Sequence, residues 1–135
     1  MQSRKEAREY FMQLLYQMEI QKDFRSDIKE RFLSQYMENS TELEYFNHMY
    51  EIINLHLNDI DKVLTASSAN WKIERIAKVD LAILRLSIAE ILYFDEIPDS
   101  VSINEAVDLA KKYGSEDSGK FVNGILGKIV SDKNG

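Results

Sequence analysis

The chain has 135 residues, enough for one domain with a sizeable core, and its 44% apolar and 30% charged content is that of an ordinary globular protein. It has no cysteine, which excludes a disulfide framework and thiolate chemistry, and no apolar run near the ~20 residues a membrane helix needs. Its net charge of −6 weighs against nucleic acid, but residues 23–61, with nine acidic and three basic residues, hold that excess, so either end can still present local basic surface.

Backbone breakers are scarce. Pro98 is the one proline, and all five glycines lie at or after Gly114. This predicts an all-helical domain. No apolar signal-peptide segment follows the N-terminal charges, so a cytoplasmic location is expected.

Ser3 and Glu6 form a capping box that opens a first helix, with Ala7, Tyr10, Phe11, Leu14, Leu15 and Met18 facing inward. A second helix is predicted from about Asp27, carrying Ile28, Phe32, Leu33, Tyr36 and Met37. Thr41 and Glu44 read as another capping box, followed by a long stripe of Leu43, Phe46, Met49, Tyr50, Ile53, Leu57, Ile60 and Leu64. The polar TASSAN, residues 65–70, is expected to end it. Residues 73–94 are apolar on most faces, as befits a central helix covered by its neighbours. Ser102 and Glu105 suggest a third capping box, opening a helix through Tyr113, with Gly114 at a position that favours left-handed backbone.

The last segment, SEDSGKFVNGILGKI, gives contradictory signals. Asn123-Gly124 is a typical hairpin-turn dipeptide. Yet Phe121, Val122, Ile125, Leu126 and Ile129 recur with helical spacing, which predicts a helix carrying Gly119, Gly124 and Gly127 in its body. Each glycine costs such a helix roughly 0.5–1 kcal/mol relative to alanine. At about 100° per residue, Phe121 falls at the edge of the apolar stripe. Asp117, Gly124 and Lys128 share its face, and Lys120 lies alongside. An edge aromatic beside cations and a position without a side chain suits a stacked RNA base whose backbone runs close to the helix. For Gly127, close packing of a neighbouring helix is the expected reason.

On the first helix, Arg4, Lys5 and Arg8 share an arc beside the core stripe, continued by Met12 and Tyr16. This is a short candidate phosphate-binding patch. His48 and His56 are too far apart for the usual helical zinc pair, and no nucleophile motif or phosphate-cradling loop occurs. No catalytic residues, metal site or cofactor are therefore expected.

Residues 97–126, IPDSVSINEAVDLAKKYGSEDSGKFVNGIL, resemble the NusB family of transcription antitermination factors, and residues 74–98, ERIAKVDLAILRLSIAEILYFDEIP, are similar to that family's central helix. The N-terminal Arg4, Lys5, Arg8 and LLYQ at 14–17 fit more loosely. The resemblance implies an all-α fold of about six to seven helices in two packed subdomains, here one RNA-binding domain over residues 1–135. It implies a protein without catalytic activity that binds boxA RNA in ribosomal RNA transcripts, together with the small-subunit ribosomal protein NusE. In that complex the family helps the RNA polymerase elongation complex resist termination. By the same resemblance Arg4, Lys5, Arg8, Asp117, Lys120 and Phe121 lie at the RNA face, and Tyr16 and Asp80 face the ribosomal protein. The basic cluster is thinner here than in some members, and Gly119 stands where a bulkier residue is frequent. A different reading is a homodimeric helical interaction module without direct RNA binding.

Overall fold

The computed structural model describes residues 3–69 and 71–135, and these form six α-helices and one 3-10 turn, with no strand among them. The helices are α1 (Arg4–Gln21), α2 (Ser26–Tyr36), α3 (Leu43–Ser67), α4 (Lys78–Tyr93), α5 (Asp99–Tyr113) and α6 (Ser118–Asn134). The all-α expectation holds. Helix α4 is the spine: every residue of 80–91 is buried, and it packs against α1, α3, α5 and α6.

The Ser3 capping box forms as expected. Its side chain accepts from the Glu6 N–H, and the Glu6 carboxylate accepts from the Ser3 N–H. The α1 stripe of Ala7, Phe11, Leu14, Leu15 and Met18 is fully buried, and Phe11 meets Phe46 of α3 edge-on at 5.1 Å. Tyr10 is only half-buried and stacks on Tyr36.

Three expectations need correction. Thr41 and Glu44 do not cap α3, which starts at Leu43 behind Glu42. Its helix ends within the TASSAN segment as expected, at Ser67, and Asn70 lies outside the described residues. The spine begins at Lys78 rather than residue 73. Residues 73–75 form a 3-10 turn and Ile76 is extended, so Ile73 and Ile76 pack on the core from a loop. Ser102 is no cap either. Helix α5 starts at Asp99 directly behind Pro98, which leaves Ser102 in the helix body, facing α4.

Gly114 is also not left-handed, with φ −90° and ψ −169°. What it needs is space. A Cβ there would lie 2.4 Å from Ser118 Oγ and 2.7 Å from the Ala110 carbonyl oxygen. Glycine thus permits the tight turn in which Ser118 Oγ accepts from the Ser115 N–H.

Two ionic clusters are built around buried groups, Glu90 in one and Glu19 with Arg85 in the other. Glu90 of α4 is fully buried and accepts hydrogen bonds from Arg8 Nε of α1 at 2.8 Å, from Ser102 Oγ of α5 at 2.7 Å and from the Tyr45 hydroxyl of α3. Burial opposes the charge of Arg8, but the hydrogen bond and attraction from Glu90 outweigh it and raise the Arg8 pKa. Burial and Glu90 together push the Tyr45 phenol well above its ordinary value. In the second cluster, Arg85 of α4 binds Asp61 of α3 at 2.8 Å and Glu19 of α1 at 2.7 Å. Lys22 and Lys78 also meet Glu19. Burial again opposes the charge, but hydrogen bonds from Lys22 and Arg85 hold the Glu19 pKa down to about 2.

Removing one partner of a buried pair strands the other. Arg8→Ala is therefore expected to lower unfolding stability by about 3–5 kcal/mol in a urea titration. Glu19, with its pKa depressed in the folded state, contributes stability that is complete above about pH 4.5 and is lost as pH falls toward about 2. Denaturation midpoints measured across that window should fall steeply for the native chain. In Glu19→Gln, less stable at neutral pH, the fall should be shallower.

Candidate RNA-binding face and partner groove

The exposed edge of α6 carries the first group of candidate residues. Phe121 is half-buried against the core. Lys120 and Lys128 are exposed and make no ion pair among the described residues. A Cβ placed on Gly124 would meet nothing within 4 Å, and the same holds for Gly127. The expectation of a helix packed on Gly127 is therefore wrong. The close approach occurs at Gly119, where a Cβ would lie 3.3 Å from Lys111 Cγ and 3.9 Å from Val107 Cγ1 of α5. One helix thus uses its glycines in two ways: Gly119 admits α5, whereas Gly124 and Gly127 leave the outer face open. Asp117 is exposed at the N-cap of α6 and makes no side-chain capping bond.

The α1 cations stand differently. Arg8 is 4% exposed and committed to Glu90, so the structure removes it from the surface patch. Arg4 and Lys5 reach solvent but are engaged by acids. Arg4 Nε donates to Glu42 at 2.7 Å, and its guanidinium lies 4.4 Å from the centre of the Tyr45 ring. Lys5 Nζ donates to Glu105 at 2.9 Å and to Asp108 at 3.3 Å, and these contacts raise its pKa, the Glu105 hydrogen bond most. Helix α5 stands between the two groups. Glu105, Asp108 and Lys112 reach α1, while Val107 and Lys111 pack on Gly119 of α6.

The second pair of candidates lies on another face. Tyr16 is 39% exposed and, with Met12, Gln13, Val79 and Tyr113, lines a shallow, mostly apolar groove of about 200 Å³. Asp80, next to Val79, is only 7% exposed, and its buried Oδ1 has no hydrogen-bond partner among the described residues. It sits in the uncapped first turn of α4, where a carboxylate complements the helix dipole.

His48 lies against Phe94 and His56 stacks on Tyr93, so neither joins a metal cluster; no group able to hold a metal occurs among the described residues. Sequence reasoning missed Trp71. It is 49% exposed in the loop before α4 and meets Phe121 edge-on, with ring centres 6.1 Å apart. A residue outside any periodic segment leaves no pattern from which to place it.

The described residues define an all-helical fold with an open edge on α6 and a shallow apolar groove beside Tyr16. The chain belongs to the NusB family, whose family model matches residues 5–131. It is 48% identical over 130 residues to the transcription antitermination protein NusB of Acetivibrio thermocellus, covering 96% of this chain and 90% of that protein. To the NusB of Alkaliphilus oremlandii it is 46% identical, covering 97% and 95%. Among solved structures it is similar to T. maritima NusB, with a TM-score of 0.88 and 34% identity, covering 97% and 92%. It is also similar to a chain in a crystal structure of the antitermination factors NusB and NusE with double-stranded RNA, with a TM-score of 0.85 and 27% identity, covering 96% of each chain. No helix among the described residues is long and apolar enough to cross a membrane.

The two kinds of glycine separate in a simple experiment. Gly124→Leu is expected to keep or slightly raise the melting temperature, since helix propensity improves by up to about 1 kcal/mol and the side chain meets nothing. Gly119→Leu must displace Val107 and Lys111 and should melt lower. Thermal unfolding followed by circular dichroism distinguishes them; a large loss in Gly124→Leu would mean that this face is not open.

Proposed function

We propose that this NusB-family chain is a transcription antitermination factor that binds single-stranded boxA-type RNA of ribosomal transcripts together with a NusE-type ribosomal protein, helping RNA polymerase resist termination. It acts as one binding domain in the cytoplasm, without catalysis and without a cofactor. The observation that carries the RNA reading is the α6 edge: a partly exposed Phe121, an open Gly124, and Lys120 and Lys128 on neighbouring positions, without an ion pair among the described residues. Aromatic stacking supplies sequence-tolerant contact to unpaired bases, and free lysines supply phosphate contacts. The relatives named NusB, and the solved assembly of NusB and NusE with double-stranded RNA, support an RNA-binding factor that works with a NusE-type partner.

The groove beside Tyr16 is the proposed seat of the ribosomal protein. Its apolar lining offers contact area, and Asp80, adjoining Val79 in sequence, adds an acidic group at the start of α4. Ribosomal proteins are mostly basic, which suits an acidic chain.

The cations divide by their present partners. Lys120 and Lys128 are free to neutralise phosphate. Arg4 and Lys5 must exchange a carboxylate for a phosphate, and Arg8 plays a structural part. Affinity for boxA RNA, measured across a salt series with the ribosomal protein present, tests this. Lys120→Ala and Lys128→Ala should each flatten the logarithmic salt slope by roughly 0.7, the value for one lost single-strand contact. Arg4→Ala and Lys5→Ala should flatten it less. Failure of the native chain to bind the RNA, even with the ribosomal protein, would refute the RNA reading.

A further inference from the structure

The RNA surface described so far ends at α6. Trp71, in the loop between α3 and α4, meets Phe121 of α6, and the inference drawn from this contact rests on the RNA reading above. Trp71 is the chain's one tryptophan, and nearly half of its surface is exposed. A large apolar ring left in solvent on an otherwise charged surface forgoes burial that the core would reward, so what it does there needs a reason.

Its placement is held by local bonds. The buried Ser68 ends α3, and its Oγ lies 3.3 Å from the carbonyl oxygens of both Thr65 and Trp71. The Trp71 N–H donates to the Ser68 carbonyl at 3.1 Å. Ala69 makes the turn at φ 54°. Beyond Trp71, the Arg75 N–H donates to the Lys72 carbonyl at 2.9 Å and starts the 3-10 turn. Hydrogen bonds at Ser68 and at Lys72–Arg75 thus hold described residues on both sides of the indole. On its far side the indole meets Phe121 at an interplanar angle of 62°. An edge-on pair leaves ring face uncovered, where a third flat group can stack.

Charge points to the kind of group. Lys72 directly follows Trp71 and Lys120 directly precedes Phe121; both are exposed, with no ion pair among the described residues. Two aromatic rings meeting at an angle, each flanked by an unpaired cation, match an unpaired nucleotide: a base for the rings, phosphates for the lysines.

We propose that Trp71 and Phe121 together form a two-walled seat for one base of single-stranded RNA, with Lys72 and Lys120 holding the adjoining phosphates. In this arrangement Phe121 is fastened to the core and Trp71 is the wall that faces the nucleotide. The RNA path therefore runs from α6 onto the α3–α4 loop.

The lone tryptophan makes the test direct. The native chain, with the NusE-type ribosomal protein already bound, is titrated with a dye-labelled boxA oligonucleotide. Dye anisotropy reports binding, and indole emission reports stacking. The proposal expects indole emission to be quenched in step with anisotropy. It also expects Trp71→Ala to weaken RNA binding roughly tenfold to hundredfold at an unchanged melting temperature, and Trp71→Phe to restore most of the affinity. RNA that binds by anisotropy without altering indole emission, and with equal affinity for Trp71→Ala, overturns the seat while leaving the RNA reading intact. Emission that responds fully to the ribosomal protein, with no further change on RNA addition, makes Trp71 part of a protein interface and also overturns it. If the native chain binds no RNA in the presence of the ribosomal protein, the RNA reading falls and the seat falls with it. A Trp71→Ala chain that melts much lower, with no quenching in the native chain, marks the indole as structural and overturns it too.

Discussion

A single carboxylate organises this molecule. Glu90 lies fully buried on the central helix and is served by donors from α1, α3 and α5. In the low-dielectric interior a lone carboxylate is intolerable, and a fully satisfied one is strongly directional. The positions of three helices around α4 therefore follow from one group. The consequence reaches the surface. Fixing α5 fixes the side that meets α1 through Glu105 and Asp108, and the side that receives Gly119. The orientation of Phe121 two residues later depends on that contact.

The two surfaces differ in how ready they are. On α6, Lys120 and Lys128 make no ion pair among the described residues and the face at Gly124 and Gly127 is open, so a ligand meets groups that need no rearrangement. On α1 every candidate cation already has an anion, and Arg8 is inside. Contacts that require an exchange of partners contribute less net free energy than contacts to free groups. The acidic excess of the middle third thus bears on binding directly, because Glu42 on α3's N-terminal flank occupies Arg4.

The sequence made the helices legible because their apolar residues recur with the period of the helix, and the scarcity of proline and glycine left few places for a break. Boundaries were harder. Ile73 and Ile76 look like the start of the spine, yet they pack from a 3-10 turn and an extended residue. The Ser102 box failed because Pro98 and Asp99 start the helix earlier. Within the site, Phe121 and Gly124 could be read from their angular positions on one helix. Arg8 could not: its position beside the core stripe is the same for a surface cation and a buried one. Its acid partner stands 82 residues away, a pairing that no local pattern records. Trp71 likewise acquires meaning only when the α3–α4 loop is brought against α6. Tyr16 and Asp80 came from family resemblance, and periodicity gave no sign that one was exposed and the other buried.

The second buried cluster differs from the first in its redundancy. Glu19 has Arg85, Lys22 and Lys78 around it, while Asp61 is partly open to water. Loss of any one cation leaves Glu19 with others nearby. Among the described residues Glu90 has only Arg8 as its ionic partner. Over a lineage, the two clusters should therefore drift at different rates. The members around Glu19 can be exchanged one at a time through functional intermediates. Arg8 and Glu90 have no such path: either stays while the other stays, or both yield together to an apolar pair that fills the same space.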